Sequence, residues 1–254
     1  MLIDTHAHLN SSDFFTDYKE CIKNAKEAGV DKIICVGFDY ETNKKAIEIA
    51  NDNENIYATV GYHPSEAGKI TDEDFLLLRE YLKEKKVIAI GECGLDFYWV
   101  KDNMNMQIYL FKEQIKLAYE FDLPLVIHMR DATEIMLKVL KEEYQRPYKG
   151  VMHCYSGSKE AMNEFLKLGF YISFGGPLTF KNARIPKEVA VEVPLNRILI
   201  ETDSPYLTPH PFRGVRNEPK HVKLVALELA NLKNMKLEEI EKITSENAQK
   251  LFNI

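Results

Sequence analysis

At 254 residues the chain is long enough for one large domain with a well-buried core, and 45% hydrophobic with 28% charged residues is ordinary for a globular protein. A formal net charge of −6 excludes broad electrostatic adhesion to nucleic acid or to an anionic membrane, while leaving room for a local anion site charged by metal ions. Four scattered cysteines with no C-x-x-C pair, no leader-like N-terminus and no apolar run near the ~20 residues of a membrane span point to a reduced, cytoplasmic protein with no membrane contact.

The first predicted element is a strand, LIDTHAHL (2–9). Read with period two, it puts Asp4, His6 and His8 on one face, a placement that is costly unless hydrogen bonds or a metal satisfy them. Further short apolar, β-branched runs follow at 32–38, 56–63, 87–92, 123–129, 150–155, 170–176 and 197–203, which makes eight candidate strands. Helical periodicity fills the intervals at 73–86, where Thr71 and Asp74 form a capping-box pattern, and at 106–122, 133–144 and 159–169, the last stopped by Gly169. Two more helices, about 219–233 and 237–252, follow the eighth strand. Strand–helix alternation without a linker or low-complexity segment implies a parallel sheet. Because no strand reads as an edge, the expected fold is a single (β/α)8 TIM barrel over residues 1–254 rather than an open doubly wound sheet.

Strand ends carry the chemistry. Strand one ends in His6 and His8, strand three in His63, strand four in Glu92, strand five in His128, strand six in His153, and strand eight in Glu201 and Asp203. Five of the seven histidines fall at these ends, the side of a barrel where catalytic groups gather. A lone histidine at a strand end is usually a satisfied structural group; six metal-type side chains converging on one mouth are not easily buried without a counter-ion.

Four histidines and two carboxylates suit Zn, Mn, Fe or Ni, with Mg a poorer match because it prefers oxygen ligands. Six ligands exceed one open catalytic site but serve two divalent ions if a carboxylate bridges them, and Glu92, lying between the two sets around the ring, is placed to do so. Activity on phosphoesters then depends on metal, because the metal-free cluster is negative and repels phosphate.

The stretches DTHAHL, GECGLDFYW, HMRDA, HCYSG, ETDSPYLTP and RGVRNEP together resemble the TatD family of metal-dependent hydrolases, often called TatD-type deoxyribonucleases, over residues 2 to about 219. The resemblance implies an amidohydrolase-like barrel, a two-metal site and hydrolysis of DNA phosphodiesters, with a 3′–5′ exonuclease as one form. It implies that His6, His8, Asp203 and Glu92 hold one ion, that Glu92, His128 and His153 hold the other, and that His63 approaches the substrate phosphate. Catalytic work then falls to Asp203 as proton acceptor, His63 and Glu92. The expected partner is DNA, single-stranded or at exposed ends, with no obligate protein partner.

Other residues admit two roles each. Glu201 either orients a ligand imidazole or is a buried carboxylate paired with a neighbour, and Asp4 shares that ambiguity. Asp131 reads as a helix N-cap and Arg130 as either a phosphate contact or an ion-pair partner. Arg213, Arg216 and Asn217, with Lys220 nearby, either hold a nucleic-acid backbone at the mouth or anchor their own loop. Trp99 offers a stacking face for an unpaired base or packs on the rim. Cys35, Cys93 and Cys154 are expected to be core thiols turned away from the site. Two further functions compete with the nuclease: a two-metal hydrolase of amide or ester bonds on the same scaffold, and a non-enzymatic metal-binding protein, for which a positioned base would have no use.

Overall fold

The computed structural model describes residues 1–254. Eight strands, β1 (Leu2–Ala7), β2 (Val30–Val36), β3 (Ile56–Val60), β4 (Val87–Asp96), β5 (Leu125–Arg130), β6 (Gly150–Met152), β7 (Tyr171–Phe174) and β8 (Ile198–Ile200), lie in one sheet in sequence order. Every neighbouring pair from β1–β2 to β7–β8 is parallel. The ring closes where the chain leaving β8 meets β1: Asp203 N donates to His6 O at 2.8 Å, His8 N donates to Ser204 O at 2.7 Å, and Thr202 N donates to Asp4 Oδ1 at 2.8 Å. The fold is a (β/α)8 TIM barrel.

Nine α-helices surround it: α1 (Tyr18–Glu27), α2 (Tyr40–Asp52), α3 (Asp72–Tyr81), α4 (Met104–Phe121), α5 (Thr133–Glu142), α6 (Lys159–Leu168), α7 (Arg184–Glu192), α8 (Val222–Lys233) and α9 (Leu237–Phe252). The Thr71–Asp74 capping box is present at the start of α3, and Gly169 ends α6 in the left-handed conformation at φ 110°. Three helices escaped the periodicity reading. α1 buries only Cys21 and Ala25, and α7 only Val189 and Ala190, so their apolar stripes are narrow; α2 buries a face rich in small residues.

The core has two layers. The larger one packs the outer faces of the strands against the helices. The smaller one gathers Ile3, Ile34, Val126, Val151, Tyr171 and Leu199 with Leu251 and Phe252 from the end of α9. Side chains from strands all around the ring can meet only inside it, so this layer fills the barrel interior, as close packing requires. His128, His153 and Glu201 each lie two residues beyond Val126, Val151 and Leu199, which sets them on the same face one step closer to the mouth. No helix is long and apolar enough to cross a membrane.

Candidate metal centre

Only His6, Glu92 and His128 lie within strands; His8, His63, His153, Glu201 and Asp203 fall one to three residues past them, so the expected strands are too long at these ends. The reason is local backbone. Asp203 sits at φ 56°, in the left-handed region that aspartate tolerates better than most residues, and the turn there aims its carboxylate back across the mouth.

Glu92 stands at the centre. Its Oε2 lies 3.6 Å from Nε2 of His6 and 3.6 Å from Nε2 of His8, while its Oε1 lies 2.9 Å from Nδ1 of His128 and 3.0 Å from Nε2 of His153. Asp203 Oδ1 completes the first side at 3.4 Å from His8 and 3.7 Å from His6. The six residues named from strand ends therefore meet in one cluster, with one Glu92 oxygen turned to each set.

The tautomers test whether these groups fit a cation. His8 places Nδ1 against the carbonyl of Val36 at 2.9 Å, which can only accept, so Nδ1 carries the proton and Nε2 presents a lone pair inward. His153 does the same through Glu201 Oε1 at 3.2 Å, and His128 in mirror fashion through Asp96 Oδ2 at 3.0 Å, leaving Nδ1 facing Glu92. The bare nitrogens of His128 and His153 then face one another at 3.4 Å, and the bare Nε2 of His8 lies 3.2 Å from Nε2 of His6, whose Nδ1 has no partner to fix its proton. Facing lone pairs beside carboxylates are the donor set of a bound divalent ion. The electrostatics agree. Burial opposes protonation of His153, yet Glu92 and Glu201 together raise it well above the ordinary imidazole value, so the cluster draws positive charge. Burial likewise opposes ionisation of Glu92, yet the surrounding imidazoles hold it well below the carboxylate range.

His63 is wired the opposite way. The backbone N–H of Ser65 donates to its Nδ1 at 3.1 Å, so Nε2 carries the proton and points toward Glu92 Oε1 at 3.8 Å. Although His63, Glu92 and His128 are close enough to share an ion, a protonated Nε2 has no lone pair to offer. Burial holds His63 down at about 4, so it is a neutral donor at pH 7.

His8, His63, Glu92, His128, His153 and Asp203 line a cavity of about 780 Å³, within the range of small-molecule sites, with His6 buried behind them. Arg130 lines it too, its guanidinium 4.4 Å from the Tyr98 ring centre and 5.4 Å from that of Trp99, with no carboxylate partner. Trp99 is 70% exposed on the rim.

Several side chains take other places than the mouth. Arg216 does not line the cavity: it forms a two-pronged pair with Asp17 at 2.9 and 2.6 Å and covers Phe14, anchoring its own loop. Arg213 lies over Phe180 at 3.8 Å and is also absent from the cavity wall. Asn217 is buried, donating to Thr202 O and Tyr206 O, and Lys220 pairs with Glu218. Asp131 is not the cap of α5, whose N-cap position is Ala132 without a side-chain bond; Asp131 sits at φ 51° on the cavity wall. Cys154 is no core thiol: a positive φ of 41° swings it onto the wall, whereas Cys35 and Cys93 are buried in the core as expected. Asp4 touches no imidazole nitrogen and instead ties β1 to Thr202. Asp96 is a site residue that the strand-end pattern does not mark; its signal is its spacing, four residues past Glu92 on the same strand face.

A family model described as TatD related DNase matches residues 3–253. The chain is 52% identical over 254 residues to an uncharacterized metal-dependent hydrolase, YabD, of Bacillus subtilis, with both chains covered in full. It is 35% identical over 257 residues to the uncharacterized metal-dependent hydrolase YcfH of Escherichia coli K12, covering 100% of this chain and 96% of that one. The crystal structure of YjjV, a TatD homologue from E. coli K12, superposes with a TM-score of 0.94 at 32% identity, covering 100% of this chain and 98% of that one. The chain belongs to the TatD family and is a metal-dependent hydrolase.

Proposed function

We propose that the protein hydrolyses phosphodiester bonds of DNA at a site holding two divalent cations. The supporting observation is the division of Glu92, one oxygen toward His6, His8 and Asp203 and the other toward His128 and His153. His6, His8, Asp203 and Glu92 would hold one ion, and Glu92, His128 and His153 the other. Bound there, the cations supply charge neutralisation for a phosphate and acidify a water for attack.

The protein's own groups do the rest. Burial opposes ionisation of Asp203, yet its contact with His8 and the nearby imidazoles of His6 and His153 hold its carboxyl below the ordinary value. It reaches the mouth as a carboxylate able to accept a proton from an attacking water. His63 offers a fixed, neutral Nε2–H to a non-bridging phosphate oxygen without losing a proton itself. Arg130, free of ion pairs and braced on two rings, is placed to hold a neighbouring phosphate. The backbone is thus held without reading bases, which matches a net charge of −6 that gives no broad affinity for duplex.

The test is metal-stripped and reconstituted protein assayed on labelled single- and double-stranded DNA, with an amide and an ester panel alongside. Cleavage of DNA restored by divalent metal is the expected outcome. Turnover of the amides or esters with intact DNA would replace this reading with small-substrate hydrolysis at the same centre.

A further inference from the structure

Beyond the ligands themselves, one buried carboxylate spans two parts of the mouth. Asp96 closes β4 and is 1% exposed. Its Oδ2 faces Nε2 of His128 at 3.0 Å. Its Oδ1 accepts from the backbone N–H groups of Tyr98 at 2.9 Å and Trp99 at 2.8 Å, which shapes the turn carrying both rim rings. Asp96 is itself clamped. Gln107 of α4, fully buried, accepts from Asp96 N at 2.9 Å and donates to Asp96 O at 3.0 Å and to Val100 O at 2.8 Å. The close approach of β4 to β5 behind this contact needs Gly94, where a Cβ would stand 2.0 Å from the His128 carbonyl oxygen at φ 137°.

We infer that Asp96 is a positioning residue that fixes His128 with its proton on Nε2 and its Nδ1 lone pair facing Glu92, and that the same carboxylate sets the Tyr98–Trp99 rim relative to that ligand. Tyr98 and Trp99 each present an N–H that can only donate, so Oδ1 is committed as acceptor. Oδ2 is then the acceptor left for His128. The inference rests on the metal-binding reading of the centre and is independent of whether the substrate is DNA.

Asp96→Asn separates the two functions. The two backbone donors claim the amide oxygen, so the rim turn persists, and the –NH2 group is forced toward His128. A donor there demands a bare Nε2, which moves the ring proton to Nδ1 and removes the lone pair that faces Glu92. Calorimetric titration of metal-stripped protein with Zn²⁺ should show the ion at His128 weakened about 10–100-fold and the ion at His6 and His8 unchanged. Side-chain ¹⁵N spectra of the zinc-loaded wild-type protein should show zinc on Nδ1 and a proton on Nε2 of His128. Asp96→Ala, losing both sets of bonds, should in addition free the rim and alter Trp99 fluorescence, which Asp96→Asn leaves as in wild type.

Unchanged zinc affinity in Asp96→Asn, or equal weakening at both ions, would overturn the inference. So would zinc found on Nε2 of His128, a measurement on the wild-type protein that does not depend on any variant folding. A wild-type titration with a single binding event counts against two cations instead, and the ring assignment of His128 still decides the role of Asp96.

Discussion

The backbone N–H of Ser65 donates to Nδ1 of His63 at 3.1 Å, and this single bond makes His63 a donor where His8, His128 and His153 are acceptors. An amide N–H cannot reverse its role, so the ring proton is held on Nε2. His63→Ala should therefore keep its bound metal, measured by elemental analysis, while turnover falls about 10²–10³-fold, the usual cost of removing one oriented donor to a developing charge. Loss of a metal equivalent in that variant would make His63 a ligand. Because burial puts His63 at about 4, no activity change assignable to its protonation should occur between pH 6 and 8.

Glu92 is the one side chain shared by both sets of histidines. Glu92→Gln keeps the shape but turns an N–H₂ toward one set, where it meets a cation with the wrong polarity. Metal content should fall and turnover should drop well beyond the roughly 10–100-fold that supporting residues cost. A variant retaining its full metal content and near-normal rate would remove Glu92 from the centre of the site.

Much of this centre was legible because its residue types are rare on barrel faces and recur at strand ends, so position and chemistry reinforced each other. Neither the direction of a loop side chain nor a partner distant in sequence can be read that way. Arg216 stands in a motif beside the mouth, yet Asp17, 199 residues earlier, claims it. Asp96 closes an apolar run and gains meaning only against His128, 32 residues on. Cys154 defeats the alternation rule because a left-handed residue breaks the pleat.

Arg130 and Arg216 should separate cleanly in solution. Arg216→Ala breaks the pair with Asp17 and should lower stability by about 1 kcal/mol, as for a partly exposed pair. Its KM for DNA should stay near wild type, and Arg216→Lys should not restore the two-pronged geometry. Arg130→Ala should leave the melting temperature nearly unchanged and raise KM for DNA. Steady-state kinetics and thermal melts on the same samples check both; a raised KM in Arg216→Ala alone would return that residue to the substrate path.

Asp4 governs a pH dependence of stability rather than of catalysis. Burial lifts its carboxyl from 3.8 to about 8, against the lowering effect of hydrogen bonds from Thr202 and His6. A folded-state value above the unfolded one means that the folded protein holds the proton where the unfolded chain has lost it. This contribution to stability is full below about pH 4, declines as pH rises at up to about 1.4 kcal/mol per unit, and is gone above about pH 8. Asp4→Asn imitates the protonated acid, keeping an acceptor for Thr202 N and placing a donor beside Thr202 Oγ1. It should unfold at a higher urea midpoint than wild type at pH 9 and at about the same midpoint at pH 4, so the difference between the two proteins grows with pH. A constant difference across that range would mean that Asp4 is ionised in the folded barrel and that Thr202 alone offsets its burial.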